Sequence, residues 1–293
     1  MEALRETLLI AEHDVRHAVR TRRAILFLLI YALSSLVAGA ILVWVVAEIH
    51  AQIEQQLSTL APGVQADQLL GEAAAAYKEL LNLLVGDEEK AKYLSGIPMV
   101  VLFFFWGTRT FLPWLIVLMG YDQINGEMQN RSARYVLLRA RRGSFVIGKM
   151  LSLIVLLMAL TIITNILVLF FAAIMIDGLD IGLAARHLIR FWVLTLPLGL
   201  CWIAMMSLLS SVFRSPYVAL LMGLICLVGT AVIGWMARII ESLAMLRWLV
   251  PWHYGGYLVS HRAIDQLFGM MAFIAFAAFF TLLSYIALKY RDV

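Results

Sequence analysis

Several groups of residues in this chain of 293 have types and spacings that could do chemistry. The run from Gly143 through Gly148-Lys149 fits the opening of a phosphate-binding loop. Its last place, however, holds Met150, which has no hydroxyl for magnesium, and the segment leads from a basic turn into an apolar run. The stretch is therefore not read as a nucleotide site. His13 and His17 are four apart, a spacing that on a helix can bind metal, but no third ligand accompanies them. His50, His187, His253 and His261 are scattered through other segments, the usual pattern of single interfacial histidines. Arg109 is a guanidinium within an apolar run. There is no Ser-His-Asp set, aspartate pair within an apolar run or His-Glu-x-x-His, so a membrane hydrolase lacks its chemistry. No catalytic or metal-binding residue is assigned.

The solvent sets the elements that must position these residues. Hydrophobic residues make up 63% of the chain and charged residues 14%, with a mean hydropathy of +0.89. A soluble domain has about half and about a quarter. The composition excludes a disordered chain, a disulfide scaffold and a soluble enzyme with one central core. Cys201 and Cys226 lie in apolar runs and read as small hydrophobes.

Crossing a bilayer takes roughly 20 apolar residues, and six runs qualify: 24–47, 98–120, 148–176, 188–212, 217–237 and 266–288. An even number puts both ends on one side. Of the 23 Lys and Arg, fourteen fall on the side of the termini, six of them between the second and third runs. The positive-inside rule then makes both termini cytoplasmic. The first run continues past Ala38-Gly39-Ala40 to Val46, so it reads as a retained helix rather than a cleaved signal.

Three segments are not spans. Residues 1–23 predict an amphipathic interfacial helix, with Leu4, Leu8, Ala11, Val15 and Val19 on one side and Glu2, Arg5, Glu12, Asp14 and Arg16 on the other. Residues 48–97 predict a helical extracytoplasmic insertion of net charge −5, from eight acids and three lysines. Residues 238–265 combine Trp248, Trp252, Tyr254 and Tyr257 with Pro251 and Gly255-Gly256, which predicts a re-entrant outer hairpin. Arg109 should face protein or water. It either lines a translocation path or bonds carbonyls freed around Pro113. Ser207/Ser211 and Ala219/Gly223 are small-residue pairs that permit close helix approach, common enough to be weak dimer markers.

The informative stretch runs from Gly120 to Ser152, a densely charged elbow (coupling loop 121–147) suited to lie beneath a helical bundle and dock a soluble motor. Asp122, Ile124, Glu127, Ser132, Leu137, Leu138, Arg142, Gly148 and Lys149 follow in the order Asp-x-Ile-x-x-Glu, hydroxyl residue, Leu-Leu, basic turn, Gly-Lys. In this pattern, and in its span layout along the whole chain, the sequence resembles the type-2 ABC transporter permeases, particularly the bacterial branch linked to copper-enzyme maturation. It departs from them at Arg131-Ser132, where Gly-Thr is usual, and in lacking a proline near Arg139–Arg141.

The resemblance implies an all-α membrane protein: a six-span permease domain over residues 24–293, with a cytoplasmic coupling helix at 124–135. Its implied function is that of the permease subunit of an ATP-driven exporter in the bacterial inner membrane. It implies two copies of an ABC ATPase subunit, which bind the ATP and magnesium, and a second permease copy. It also leaves room for a periplasmic accessory protein, and it implies no nucleic acid. ATPase coupling falls to Asp122, Ile124, Glu127, Arg131, Ser132 and Arg134, with Glu127 and Arg131 at the motor contact. Arg109 is the candidate for the path, and the second and fifth spans would border it. The competing class is a non-transporting membrane scaffold that recruits a cytosolic complex through the same elbow.

Overall fold

The computed structural model describes residues 2–20, 26, 29–41, 43–44, 48, 87–130, 132–176 and 179–291, the side chains of residues 132–134 excepted. No strand occurs among them. In an apolar solvent each backbone N–H and C=O must be satisfied within its own segment, and the helix does this. Among the described residues five helices are long and apolar enough to cross a membrane.

In chain order the elements are α1 (Glu2–Arg20), α2 (Leu29–Ile41), α3 (Glu88–Ser95), α4 (Met99–Gly120), α5 (Asn125–Gln129), α6 (Ser132–Leu137), α7 (Arg142–Met175), α8 (Ile181–Val212), α9 (Pro216–Ile239), α10 (Pro251–Tyr254) and α11 (Ala263–Lys289). Two 3-10 turns, Glu241–Leu249 and Tyr257–Val259, flank α10. Of the predicted spans, the second to sixth correspond to α4, α7, α8, α9 and α11. Within the first, the described part forms the shorter α2. The predicted insertion lies almost wholly outside the described residues, which resume at Asp87. There the Asp87 carboxylate caps α3, and the N–H groups of Lys90 and Glu89 hold it below the usual carboxylate range.

Helix boundaries run past the hydropathy limits. α7 begins at Arg142 rather than 148, and α8 at Ile181 rather than 188. At roughly 1.5 Å per residue α7 is ~51 Å long, well beyond the ~30 Å of a hydrocarbon core, so a charged first turn need not break it. The predicted coupling helix at 124–135 is instead two short helices, α5 and α6, separated at Asn130.

α8 is the central helix: 72% of its apolar window is buried, against 17% for α9 and 22% for α11. Its Trp202, Ile203 and Met206 pack with Phe105 and Ile116 of α4 and with Phe273 of α11 in the core. The Ser207 and Ser211 hydroxyls bond Ser284 of α11 at 3.2 and 3.3 Å. A Cβ on Gly223 would meet Met206 Sδ at 2.7 Å and Val117 at 3.1 Å. Both small-residue pairs therefore serve contacts within the chain. The outward faces of α7 and α9, such as Ile163, Ile166 and Phe170 or Leu221, Ile225 and Val232, remain apolar, as lipid contact requires.

α1 lies against α7. A Cβ on Gly148 would stand 2.9 Å from Ile10 Cβ and 3.0 Å from the Thr7 carbonyl, so the absence of a side chain permits the crossing. Gly148→Leu should cost about 1–3 kcal/mol through overpacking and lift α1 away. Thiol labelling of a cysteine introduced by Ala11→Cys, at a buried position, reads this out. Labelling as slow as in the Gly148 parent would contradict the packing account.

Candidate functional site

The chain leaves α4 at Gly120 and turns through 121–124 into α5. Two consecutive N–H groups, of Ile124 and Asn125, donate to the single Oγ of Ser210 on α8, at 3.0 and 3.1 Å. The Gln123 amide donates to the Lys149 carbonyl, and Gln129 donates to the Arg214 carbonyl at 3.3 Å. Beyond α6, the Arg141 N–H donates to Glu6 of α1 at 3.2 Å. Arg142 donates to the final carbonyls of α11, those of Leu288 and Lys289, at 2.9 and 2.6 Å. The cation thus closes a helix C-terminus, where carbonyls lack partners and the dipole is negative. The elbow is therefore bonded to α1, α7, α8 and α11.

At its centre is a buried ion cluster. The Lys149 ammonium, with a side chain 6% exposed, bonds Asp14 Oδ1 at 2.8 Å and also pairs with Glu127. Burying an ammonium is costly unless opposite charge and hydrogen bonds accompany it, and here two carboxylates do so. A cavity of about 400 Å³ adjoins the cluster, with Asp122, Gln123 and Asn130 on its polar side and Leu153 and Leu156 on its apolar side. Asn125 is fully buried, and neither of its side-chain amide atoms has a partner.

Of the residues predicted to couple the motor, the structure brings together Asp122, Ile124 and Glu127. Asp122 lines the cavity, and the Ile124 side chain is fully buried. Arg131 and the side chains of Ser132 and Arg134 lie outside the described residues. One correction concerns charge. Asp14, predicted on the polar face of the leader, turns inward to Lys149. Glu127, expected at a motor contact, also pairs with this ammonium, which leaves that expectation standing. The signal that could have found the pair was Lys149 itself, a lysine opening an apolar run that needed carboxylates nearby. The stretch resembling a phosphate loop is the first two turns of α7, with its lysine already engaged.

The opposite end of the bundle carries Arg109. Its Nη2 donates to the Trp252 carbonyl at 3.4 Å, rather than to carbonyls around Pro113. A Cβ on Gly255 would stand 2.6 Å from Arg109 Nε, so only glycine lets the segment settle on the guanidinium. The Trp252 ring lies 5.2 Å from Trp202 of α8, and its indole N–H donates to Thr230 at 3.2 Å. The Tyr254 hydroxyl donates to the Trp248 carbonyl at 2.8 Å. Burial, followed by the charges of Arg247 and Arg238, holds the His253 imidazole below its usual range.

The histidines find separate settings. The His13 and His17 rings stack at 6.5 Å, and His261 pairs with Glu89 at 3.2 Å. His253 sits among aromatic rings, and His50 lies outside the described residues. Among the described residues no three His, Cys, Asp or Glu side chains are grouped to hold a metal ion.

No curated protein matches the sequence. The family profile described as ABC-2 family transporter protein does, over residues 8–293. With five membrane-length helices and a match over nearly its whole length, the chain belongs to the ABC-2 transporter family, as a membrane-spanning component of an ABC transporter.

Proposed function

We propose that the chain is the permease subunit of an ATP-driven exporter, paired with a second permease copy above two ATPase subunits. In this reading both termini are cytoplasmic, α2 belongs to a first span that brings the number to six, and the segment around α10 is a re-entrant outer hairpin. The elbow from Asp122 through Arg134 receives the motor. Residues Asp122, Glu127, Arg131, Ser132 and Arg134 form the receiving surface, the buried Ile124 couples it to the bundle, and Arg109 borders the path with α4 and α9.

The observation that carries this reading is the bonding of the elbow. Through Lys149 and Ser210 it is fixed to α1, α7 and α8 at once, so a displacement imposed from below is shared by three helices. Transport then needs cargo and ATP to favour different states of the pair, because equal binding to both states moves nothing. The orphaned amide of Asn125 supports an elbow with a second arrangement, since a buried unpaired amide costs about 1–3 kcal/mol.

The test is Glu127→Gln in the permease–ATPase complex. It removes one charge and leaves Asp14 on Lys149, so assembly should persist. Export per ATP hydrolysed should fall roughly 5- to 150-fold, the range of typical coupling energies. Unchanged export per ATP in an assembled complex would reject the assignment of Glu127.

A further inference from the structure

A cavity of about 180 Å³ lies at the end of the bundle away from α1, walled by Arg109, Arg238, Trp235, Trp252, His253 and the small residues Ala231 and Gly234. We propose that it binds the phosphate of an anionic amphiphile, through Arg109, Arg238 and His253, with the apolar part of the ligand lying along Trp235 and the outer face of α9.

The charge arrangement calls for an anion. Two guanidiniums border one small space. No acid lines the cavity, and among the described residues no carboxylate pairs with either arginine. Arg109 makes a single long bond, to the Trp252 carbonyl, which leaves further N–H groups for a ligand. Two like charges beside apolar walls repel each other, and an oxyanion that accepts from both removes this cost.

An independent observation comes from His253. The residue lines the cavity, and its buried Nε2 has no hydrogen-bond partner, although a buried ring nitrogen normally has one. A phosphate between the arginines would supply one once the ring turns towards the cavity. The second half of the ligand follows from α9. Trp235 is 64% exposed beside the cavity, and Val232 and Ile239, three and four residues away on the same side of α9, are exposed as well. A bare inorganic anion would leave that surface unused, whereas an acyl or prenyl chain would cover it. The site requires the end bearing Arg109 to be in a membrane but does not require transport, so binding without export would count against the exporter reading alone.

Native mass spectrometry of the full chain in detergent tests the site with dioleoylphosphatidic acid against dioleoylphosphatidylcholine. Wild type should retain the phosphatidic acid preferentially. Arg238→Ala, which removes no hydrogen bond of the fold, should weaken it by roughly tenfold or more, the worth of one charge-assisted bond. Arg186→Ala, an exposed cation elsewhere on the same end, should leave binding unchanged. Inorganic phosphate serves as a second probe by thermal shift. A shift lost in Arg238→Ala without phosphatidic acid retention would keep the oxyanion site but assign it to a soluble anion. Equal phosphatidic acid retention by wild type, Arg238→Ala and Arg109→Gln, with no Arg238-dependent phosphate shift, would overturn the proposal. So would an equal loss in Arg186→Ala, because the binding would then be unspecific surface attraction.

Discussion

Lys149→Ala should destabilise the protein by about 3–5 kcal/mol, the cost of leaving buried charge without its counter-ion. The lysine bridges Asp14 and Glu127, whose side chains are 15% and 30% exposed. Removing it takes away the ammonium that these two carboxylates share. Their partial exposure lets water soften that loss, which places the effect towards the lower end of that range. The thermal midpoint of the detergent-solubilised protein should fall clearly. Adding Glu127→Gln should restore part of the loss, because the interaction of neighbouring charges is not additive. Asp14→Asn, which keeps one carboxylate on the ammonium, should cost less than Lys149→Ala. An unchanged midpoint for Lys149→Ala would mean that the cluster contributes nothing to holding α1.

Trp202→Ala should have a comparable effect for a different reason. The side chain is 1% exposed at the centre of α8, and truncating a buried aromatic typically costs about 3–5 kcal/mol in lost contacts and residual cavity. Trp202 also supports Trp252, so its loss should loosen the segment that covers Arg109. Hydrogen exchange should then rise across Glu241–Val259 before it rises in α8 itself. Trp202→Phe, which refills part of the space, should recover much of that protection. Exchange that rises uniformly over the bundle would show that this ring pair is not what seats the segment.

The sequence made some of this legible and hid the rest for physical reasons. Uninterrupted apolar runs reported five helices because a bilayer-length segment needs little beyond composition. Their ends were misplaced by up to seven residues, as at Ile181, because a hydropathy limit marks where charge begins and not where the helix stops. The elbow is recognisable from its charges, and Arg109 is expected to face protein or water. Its partner was not foreseeable: the Trp252 carbonyl is 143 residues away and belongs to a backbone whose 3-10 turns carry no periodic signal. The ion pair of Asp14 with Lys149 joins residues 135 apart. Periodicity sorted Asp14 by the average polarity of its neighbours, whereas one buried ammonium decided where it points.

The double acceptance by Ser210 has a mechanical consequence. Two successive amides gripping one oxygen form a fulcrum, not a seam, so the segment above can swing about that point with both bonds kept. A pull arriving from below would reach α8 as torque, tilting the central helix instead of dragging it along its axis.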